Sequence, residues 1–185
     1  MANFRLIEPQ FGMAPVTQTD TTQKWPLGYL ARAEDAVTAS SNLGVGEFVY
    51  CKAGAASFAK VGDFVFVAGN SAIQIGSASS QINYNMGVAA GAFSASNVYG
   101  WVQVKGFCGN ANLQNATVAA GASAFIGSNT DSGGQVASTQ TATGHALLGI
   151  HFPNSVNSDS ATNNPVFVNT VVYLNYPKAQ MGSAL

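Results

Sequence analysis

Residues 98–107 read Val98-Tyr99-Gly100-Trp101-Val102-Gln103-Val104-Lys105-Gly106-Phe107, and their character alternates from one residue to the next. One side carries the valines and both glycines, and the other carries Tyr99, Trp101, Gln103, Lys105 and Phe107. Because successive side chains of a β-strand point to opposite sides, the pattern predicts a strand whose valines line a core. We expect Trp101, Gln103 and Lys105 to face water or a partner. Gly100 and Gly106 suit a bend, a bulge or a close backbone approach.

Other short apolar or alternating segments follow along the chain, separated by turn residues. They predict strands near residues 27–33, 46–51, 64–68, 72–75, 86–90, 113–118, 124–126, 145–152 and 166–174. Segment 64–68 is apolar at every position, so we expect it to be buried on both sides. About ten short strands without an amphipathic helix predict an all-β fold, either an antiparallel β-sandwich or a small β-barrel.

The chain is unusually poor in charge. Of its 185 residues 8% are charged and the formal net charge is -1, whereas about 25% charged residues are typical. Between Phe64 and Pro177 the only formal charges are Lys105, Asp131 and Asp159. No cluster of basic residues is available to neutralise phosphates, so no nucleic-acid partner is expected. A surface this neutral suits a protein that works inside an assembly.

The sequence also bears on compartment and redox state. Its first residues contain no apolar targeting segment, and no run approaches the roughly 18 apolar residues of a membrane helix. We therefore expect synthesis in a cytoplasm and no membrane partner. The two cysteines, Cys51 and Cys108, lie in apolar strand-like contexts, which favours buried free thiols over a disulfide.

Residues 1–26 show neither strand nor helix periodicity and predict an extended N-terminal arm, followed by a β-rich domain over residues 27–177 and a tail over residues 178–185. A mobile terminus is the simplest interpretation of such a segment. The arm nevertheless carries several apolar side chains: Phe4, Leu6, Ile7, Phe11, Met13 and Trp25. That composition favours an arm that becomes ordered against a neighbouring subunit.

No catalytic site, metal site or cofactor is expected. If His145 and His151 share one strand they lie roughly 20 Å apart, too far for a common ion. Residues 129–134 faintly resemble a calcium loop but lack its ligands, and they predict a turn. Tyr99 and Trp101, with Gln103 beside them, could form a platform for stacking sugars. The low charge of the whole chain favours a subunit interface at these residues and Lys105.

An ordered set of segments resembles the small head decoration, or cement, proteins of tailed bacteriophages. The segments are Pro26-Leu-Gly-Tyr-Leu-Ala-Arg-Ala-Glu-Asp35, Gly44-Val-Gly-Glu-Phe-Val-Tyr50, Val61-Gly-Asp-Phe-Val65 and Tyr99-Gly-Trp-Val-Gln-Val-Lys-Gly106. The resemblance covers about residues 26–110 and implies a β-rich protein on the outer capsid surface of the virion. It also implies a homotrimer at three-fold or quasi-three-fold positions that binds the major capsid protein and holds coat subunits together.

Two other classes of function remain open from the residues. A carbohydrate-binding β-sandwich on a virion, aiding attachment to a host cell, could use Tyr99 and Trp101. A coat or tail-tube subunit is a third interpretation, although the length of the chain and the absence of a long predicted helix count against it. An enzyme comes last, because the sequence offers no cluster of acid, base and metal-binding residues.

Overall fold

The structure is a computed structural model, and it describes residues 4–6, 15–35, 43–54, 59–74, 85–113, 117–126, 136–137, 146–153, 156–157 and 168–179. These residues form strands and turns without a helix, which confirms the all-β prediction. The strands in chain order are β1 (Phe4–Leu6), β2 (Leu30–Asp35), β3 (Val45–Ala53), β4 (Phe64–Ala68), β5 (Ser71–Gln74), β6 (Asn85–Ala89), β7 (Tyr99–Leu113), β8 (Thr117–Val118), β9 (Ala124–Ile126), β10 (Val136–Ala137), β11 (Ala146–His151), β12 (Val156–Asn157) and β13 (Val168–Ala179).

The long strand β7 takes part in two closed rings of strands. In the first ring β3 pairs with β7, β7 with β6, β6 with β4, β4 with β5, and β5 again with β3. In the second ring β7 pairs with β13, β13 with β11, β11 with β9, β9 with β10, and β10 again with β7. All these pairs are antiparallel except β3–β5 and β10–β7. The closed pairing favours the barrel form of the predicted fold over an open sandwich.

β7 changes partners at a bulge near its middle. Gln103 pairs with Phe48, but the next pair joins Lys105 to Glu47, so β7 contains one extra residue there. Gly106 follows with φ 93°, and a Cβ on it would lie 2.6 Å from the carbonyl oxygen of Val45. Only glycine fits this backbone without strain. Of the alternatives expected at Gly106, a bend, a bulge or a close backbone approach, the structure shows a close approach of the Val45 backbone, two residues after a bulge at Val104.

Buried side chains lie on both sides of the first ring. Val65, Val98, Val102 and Val104 belong to one buried cluster, so the valine side of the alternating pattern faces a core as predicted. On the other side of β4 and β6, apolar side chains pack towards the second ring: Phe64, Phe66, Met86, Val172 and Leu174. Segment 64–68 is thus buried on both sides over its first three residues, and Gly69 and Asn70 form the turn expected after it.

Cys51 and Cys108 are free thiols and both are buried, as predicted. Burial raises the pKa of the Cys51 thiol to about 12, because the charged thiolate is poorly solvated in an apolar core. Cys51 packs with the valines of the first ring, whereas Cys108 packs with the phenylalanines of β4. The two thiols therefore act as small apolar core residues.

The segment predicted as an arm lies against the fold wherever it is described. Backbone bonds join Asp20 to Tyr99 in both directions, at 2.9 and 2.8 Å, and Val16 is 1% exposed. The predicted boundary after residue 26 therefore does not separate residues 15–25 from the core. Farther upstream, β1 pairs with β2 of the same chain. At the other end β13 runs to Ala179, two residues beyond the predicted end of the domain; residues 180–185 lie outside the described residues.

Candidate functional site

The side of β7 that was expected to face water is buried at its centre. Trp101 and Gln103 are each 3% exposed, which corrects the prediction that both face water or a partner. Trp101 packs with Ala31, Ala33 and Phe48. Side chains of residues 15–29, Val16, Trp25 and Tyr29 among them, cover this side of β3 and β7 as a second layer. The indole is consequently inside the protein and cannot stack on a sugar ring in this conformation.

Aromatic rings surround Trp101. The Tyr50 ring meets the indole edge-on with 5.0 Å between ring centroids, and the Tyr29 ring does so at 6.3 Å. Trp25 stacks on Tyr29 at 5.8 Å. Tyr99 is half-buried, and the Lys52 ammonium lies 5.7 Å from its ring centroid. Of the sequence-predicted residues, Trp25, Tyr99 and Trp101 therefore belong to one cluster.

Gln103 has a structural role in the bulge. Its side-chain amide donates hydrogen bonds to the backbone carbonyls of Lys105, at 3.3 Å, and Phe107, at 2.9 Å. A carbonyl at a bulge lacks its usual cross-strand donor, and buried polar groups need partners. The amide supplies these partners from within the same strand.

The other predicted arm residues lie away from this cluster or outside the described part of the chain. Phe4 and Leu6 lie in β1, and Ile7, Phe11 and Met13 lie outside the described residues.

Beyond the bulge the other side of the sheet is open to solvent and carries several exposed apolar side chains. Six large apolar or aromatic side chains of the described residues are exposed, and Leu30, Val45, Phe107, Leu148 and Tyr176 lie on neighbouring strands here, whereas Val61 lies elsewhere. The strands run side by side in the order β2, β3, β7, β13, β11. We call these five side chains, together with Tyr173, the outer face.

Strand register places two members of the outer face, Phe107 and Tyr173, beside each other. Phe107 pairs with Tyr173, and Tyr173 pairs with His151 across β7, β13 and β11. The Phe107 and Tyr173 rings meet edge-on at 5.0 Å. Directly paired residues lie on the same side of a sheet. An exposed apolar surface of this kind is typical of a protein interaction site.

One charged cluster lies in the middle of the outer face. The Lys105 ammonium is 3.2 Å from Glu47 Oε1 and 5.5 Å from the ring centroid of Tyr176. The Tyr176 hydroxyl donates a hydrogen bond to Glu47 Oε2. This bond, followed by the bond from Lys105, lowers the pKa of Glu47, and it raises the pKa of Tyr176. The cluster satisfies its own charges and leaves the apolar side chains around it to meet a partner.

Replacing Tyr176 with phenylalanine is expected to raise the pKa of Glu47 towards its ordinary value of 4.5, because the largest stabilising contact of the carboxylate is lost. A carboxyl group whose pKa is lowered by folding stabilises the fold at pH values above its ordinary pKa. This contribution to the free energy of unfolding is lost as the pH falls through the pKa of the folded state. The free energy of unfolding of Tyr176→Phe should therefore fall less than that of the wild type as the pH is lowered. Carboxyl carbon shifts of Glu47, followed by NMR against pH, measure the change. Tyr173→Phe is the control, and an equal effect of both would contradict the assignment.

No family model, no curated protein and no solved structure matches the chain. Among the residues that the structure describes, no group of three or more His, Cys, Asp or Glu side chains could hold a metal ion. His151 is exposed beside Tyr173, while His145 and the turn at 129–134 fall outside the described part of the chain. Within that part, no helix is long and apolar enough to span a membrane.

Sequence reasoning missed most of the outer face. Leu30, Leu148, Tyr173 and Tyr176 come from three strands that are distant in the chain, and no local pattern joins them. Phe107 was placed on the side of Trp101 by strict alternation. The one available signal was Gly106, because a bulge at that point changes which side the following residues occupy.

Proposed function

We propose that the chain is a structural virion protein that binds the outer surface of an icosahedral phage head and cements its coat subunits. It does so as a trimer at three-fold or quasi-three-fold positions. The observation that carries the proposal is the outer face, where exposed aromatic and aliphatic side chains surround an ion pair that is already satisfied. The resemblance of residues 26–110 to decoration proteins supplies the biological setting.

The composition of the outer face suits contact with protein. Interface cores are enriched in aromatic residues, and the outer face carries the rings of Phe107, Tyr173 and Tyr176. The exposed charges of Arg32, Glu34 and Lys178 border it. Glu47 and Lys105 pair with each other within the chain. Covering this pair therefore isolates neither of its two charges, and an isolated buried charge is what burial penalises most.

Trimeric symmetry converts weak contacts into firm attachment. A closed trimer presents three copies of the outer face to a lattice with matching symmetry, so the second and third contacts form at high effective concentration. A protein that binds only the assembled lattice stabilises that lattice by linkage. The apolar residues of the arm, Phe4 and Leu6 among them, add a further contact to a neighbouring coat or decoration subunit in this proposal.

The proposal is tested by solution mass and by electron cryo-microscopy. We expect a particle of about three times the 19.0 kDa chain mass, and density at three-fold positions when the protein is incubated with expanded heads of the coat protein encoded in the same genome. Phe107→Ser combined with Leu148→Ser should lower occupancy at least about tenfold, since exposed aromatic and aliphatic anchors dominate interface energy.

Val61→Ser is the matched control, because Val61 is 38% exposed but lies outside the outer face. It should leave occupancy unchanged. A soluble monomer that never joins the head would overturn the proposal, as would full occupancy by the double variant. Glycan arrays would then test the carbohydrate-binding alternative, for which Tyr99 is the sequence-predicted ring that still reaches the surface.

A further inference from the structure

A cleft of about 430 Å³ opens next to the outer face. Its floor consists of Val49, Val67 and Val104, which belong to strands of the first ring. Leu30 and Tyr176, two members of the outer face, line its edge. The volume falls within the range of about 300–1,000 Å³ that is typical of ligand sites and exceeds the space that a single side chain needs.

The cleft exists because two strands share one edge of β3. β2 pairs with β3 over Val45 to Val49, and β5 pairs with the same edge farther along, at Lys52 and Ala53. The wall of the first ring is thus incomplete between β2 and the turn that joins β4 to β5. A Cβ on Gly28 would lie 2.7 Å from Asn70 Oδ1, so these two segments meet at one end of the opening.

Among the described residues that line the cleft, two asparagines and one cation lie at its rim. Asn70 and Asn85 contribute side-chain amides, and Lys178 contributes an ammonium group. Each amide can both donate and accept a hydrogen bond, as a peptide group does. The ion pair found among the described residues joins Lys105 to Glu47, which leaves Lys178 without a described carboxylate partner.

These features together select a peptide segment as the occupant. An aliphatic floor favours apolar side chains, amides on the rim match a peptide backbone, and the exposed ammonium of Lys178 complements one carboxylate. We infer that the cleft binds an extended segment of a partner protein, in which apolar side chains adjoin an acidic residue that pairs with Lys178. The identity of that partner as the coat subunit rests on the proposed function.

Three synthetic peptides test this inference by NMR titration of the full chain. Each is an acetylated and amidated Gly-Leu-Phe-X-Gly pentapeptide, with Asp, Asn or Lys at X. The Asp peptide should give saturable shifts at residues that line the cleft, and it should bind about threefold more tightly than the Asn peptide, the effect expected of one exposed ion pair. Val67→Phe, which fills the floor, should abolish binding by all three peptides while the remaining spectrum stays that of a folded protein.

Reversal of charge on the rim gives the sharper result. Lys178→Glu should reverse the order of affinity so that the Lys peptide binds best. Lys24→Glu, an exposed charge reversal beside Tyr50 on the other side of β3, should leave the order unchanged. The inference would be overturned if Lys178→Glu left the order of affinity unchanged, or if no peptide gave saturable shifts at the cleft. It would also be overturned if decanoate, a fatty acid used as a competitor, bound more tightly than every peptide.

The peptide and head experiments separate the two proposals. Peptide binding that follows the charge of residue 178, without binding to heads, would support the cleft and contradict the capsid function. Heads that bind the wild-type protein and Lys178→Glu equally well, while no peptide binds, would support the capsid function and contradict the cleft. If both hold, Lys178→Glu should also lower occupancy on heads, whereas Lys24→Glu should not.

Discussion

Replacing Trp101 with alanine is expected to lower the free energy of unfolding by about 4 kcal/mol, the usual effect of emptying a buried site of this size. The indole is 3% exposed, and the rings of Tyr50 and Tyr29 lie against it. Its removal leaves a cavity beneath β2 and the segment around Val16. Urea denaturation followed by far-ultraviolet circular dichroism measures the change.

Phe107→Ala is the matched control, because it removes another aromatic ring from the same strand. Phe107 is 38% exposed and contacts Tyr173, so the loss should be about 1 kcal/mol or less. The two variants should also differ in assembly, since Phe107 belongs to the outer face. A Trp101→Ala protein of normal stability that fails only in binding would show that the indole is an interface residue after all.

The sequence correctly predicted which residues of β7 face the core on its valine side, but it did not predict that the opposite side is also buried. Alternation identified Val98, Val102 and Val104 as core residues, because a strand fixes which residues share a side. Alternation cannot show whether the opposite side meets solvent or a second layer. That layer is formed here by residues 15–29, which the sequence presents mostly as an irregular arm. The exposure predicted for Trp101 and Gln103 was therefore wrong.

The position of the outer face was beyond sequence reasoning for a related reason. The glycine pattern suited a bend, a bulge or a close backbone approach at Gly100 and Gly106, but a bulge matters through its effect on register, and register depends on the partner strands. One extra residue before Lys105 brings that side chain beside Glu47 and leaves Phe107 exposed. Closure of two rings around one strand likewise depends on pairings between residues far apart in the chain.

Replacing Asn112 with alanine is expected to destabilise the protein by about 3 kcal/mol, because the change removes a donor from a buried carboxylate. Asp63 is 1% exposed and Asn112 is 4% exposed. The Asn112 amide donates to Asp63 Oδ1 at 2.7 Å and to the carbonyl of Val61 at 3.1 Å. Alanine offers neither bond, so the buried Asp63 carboxylate loses a donor that it needs away from water.

Lys60→Ala is the control that identifies the side-chain network as the cause. The backbone N–H of Lys60 donates to Asp63 Oδ2 at 2.8 Å, and alanine retains that donor. Its free energy of unfolding should therefore remain within about 0.5 kcal/mol of the wild-type value. Because Asn112 lies on β7 and Asp63 immediately precedes β4, the bond also fixes how the far end of β7 meets the first ring. Equal losses in the two variants would mean that the turn itself, and not the buried amide, holds this junction.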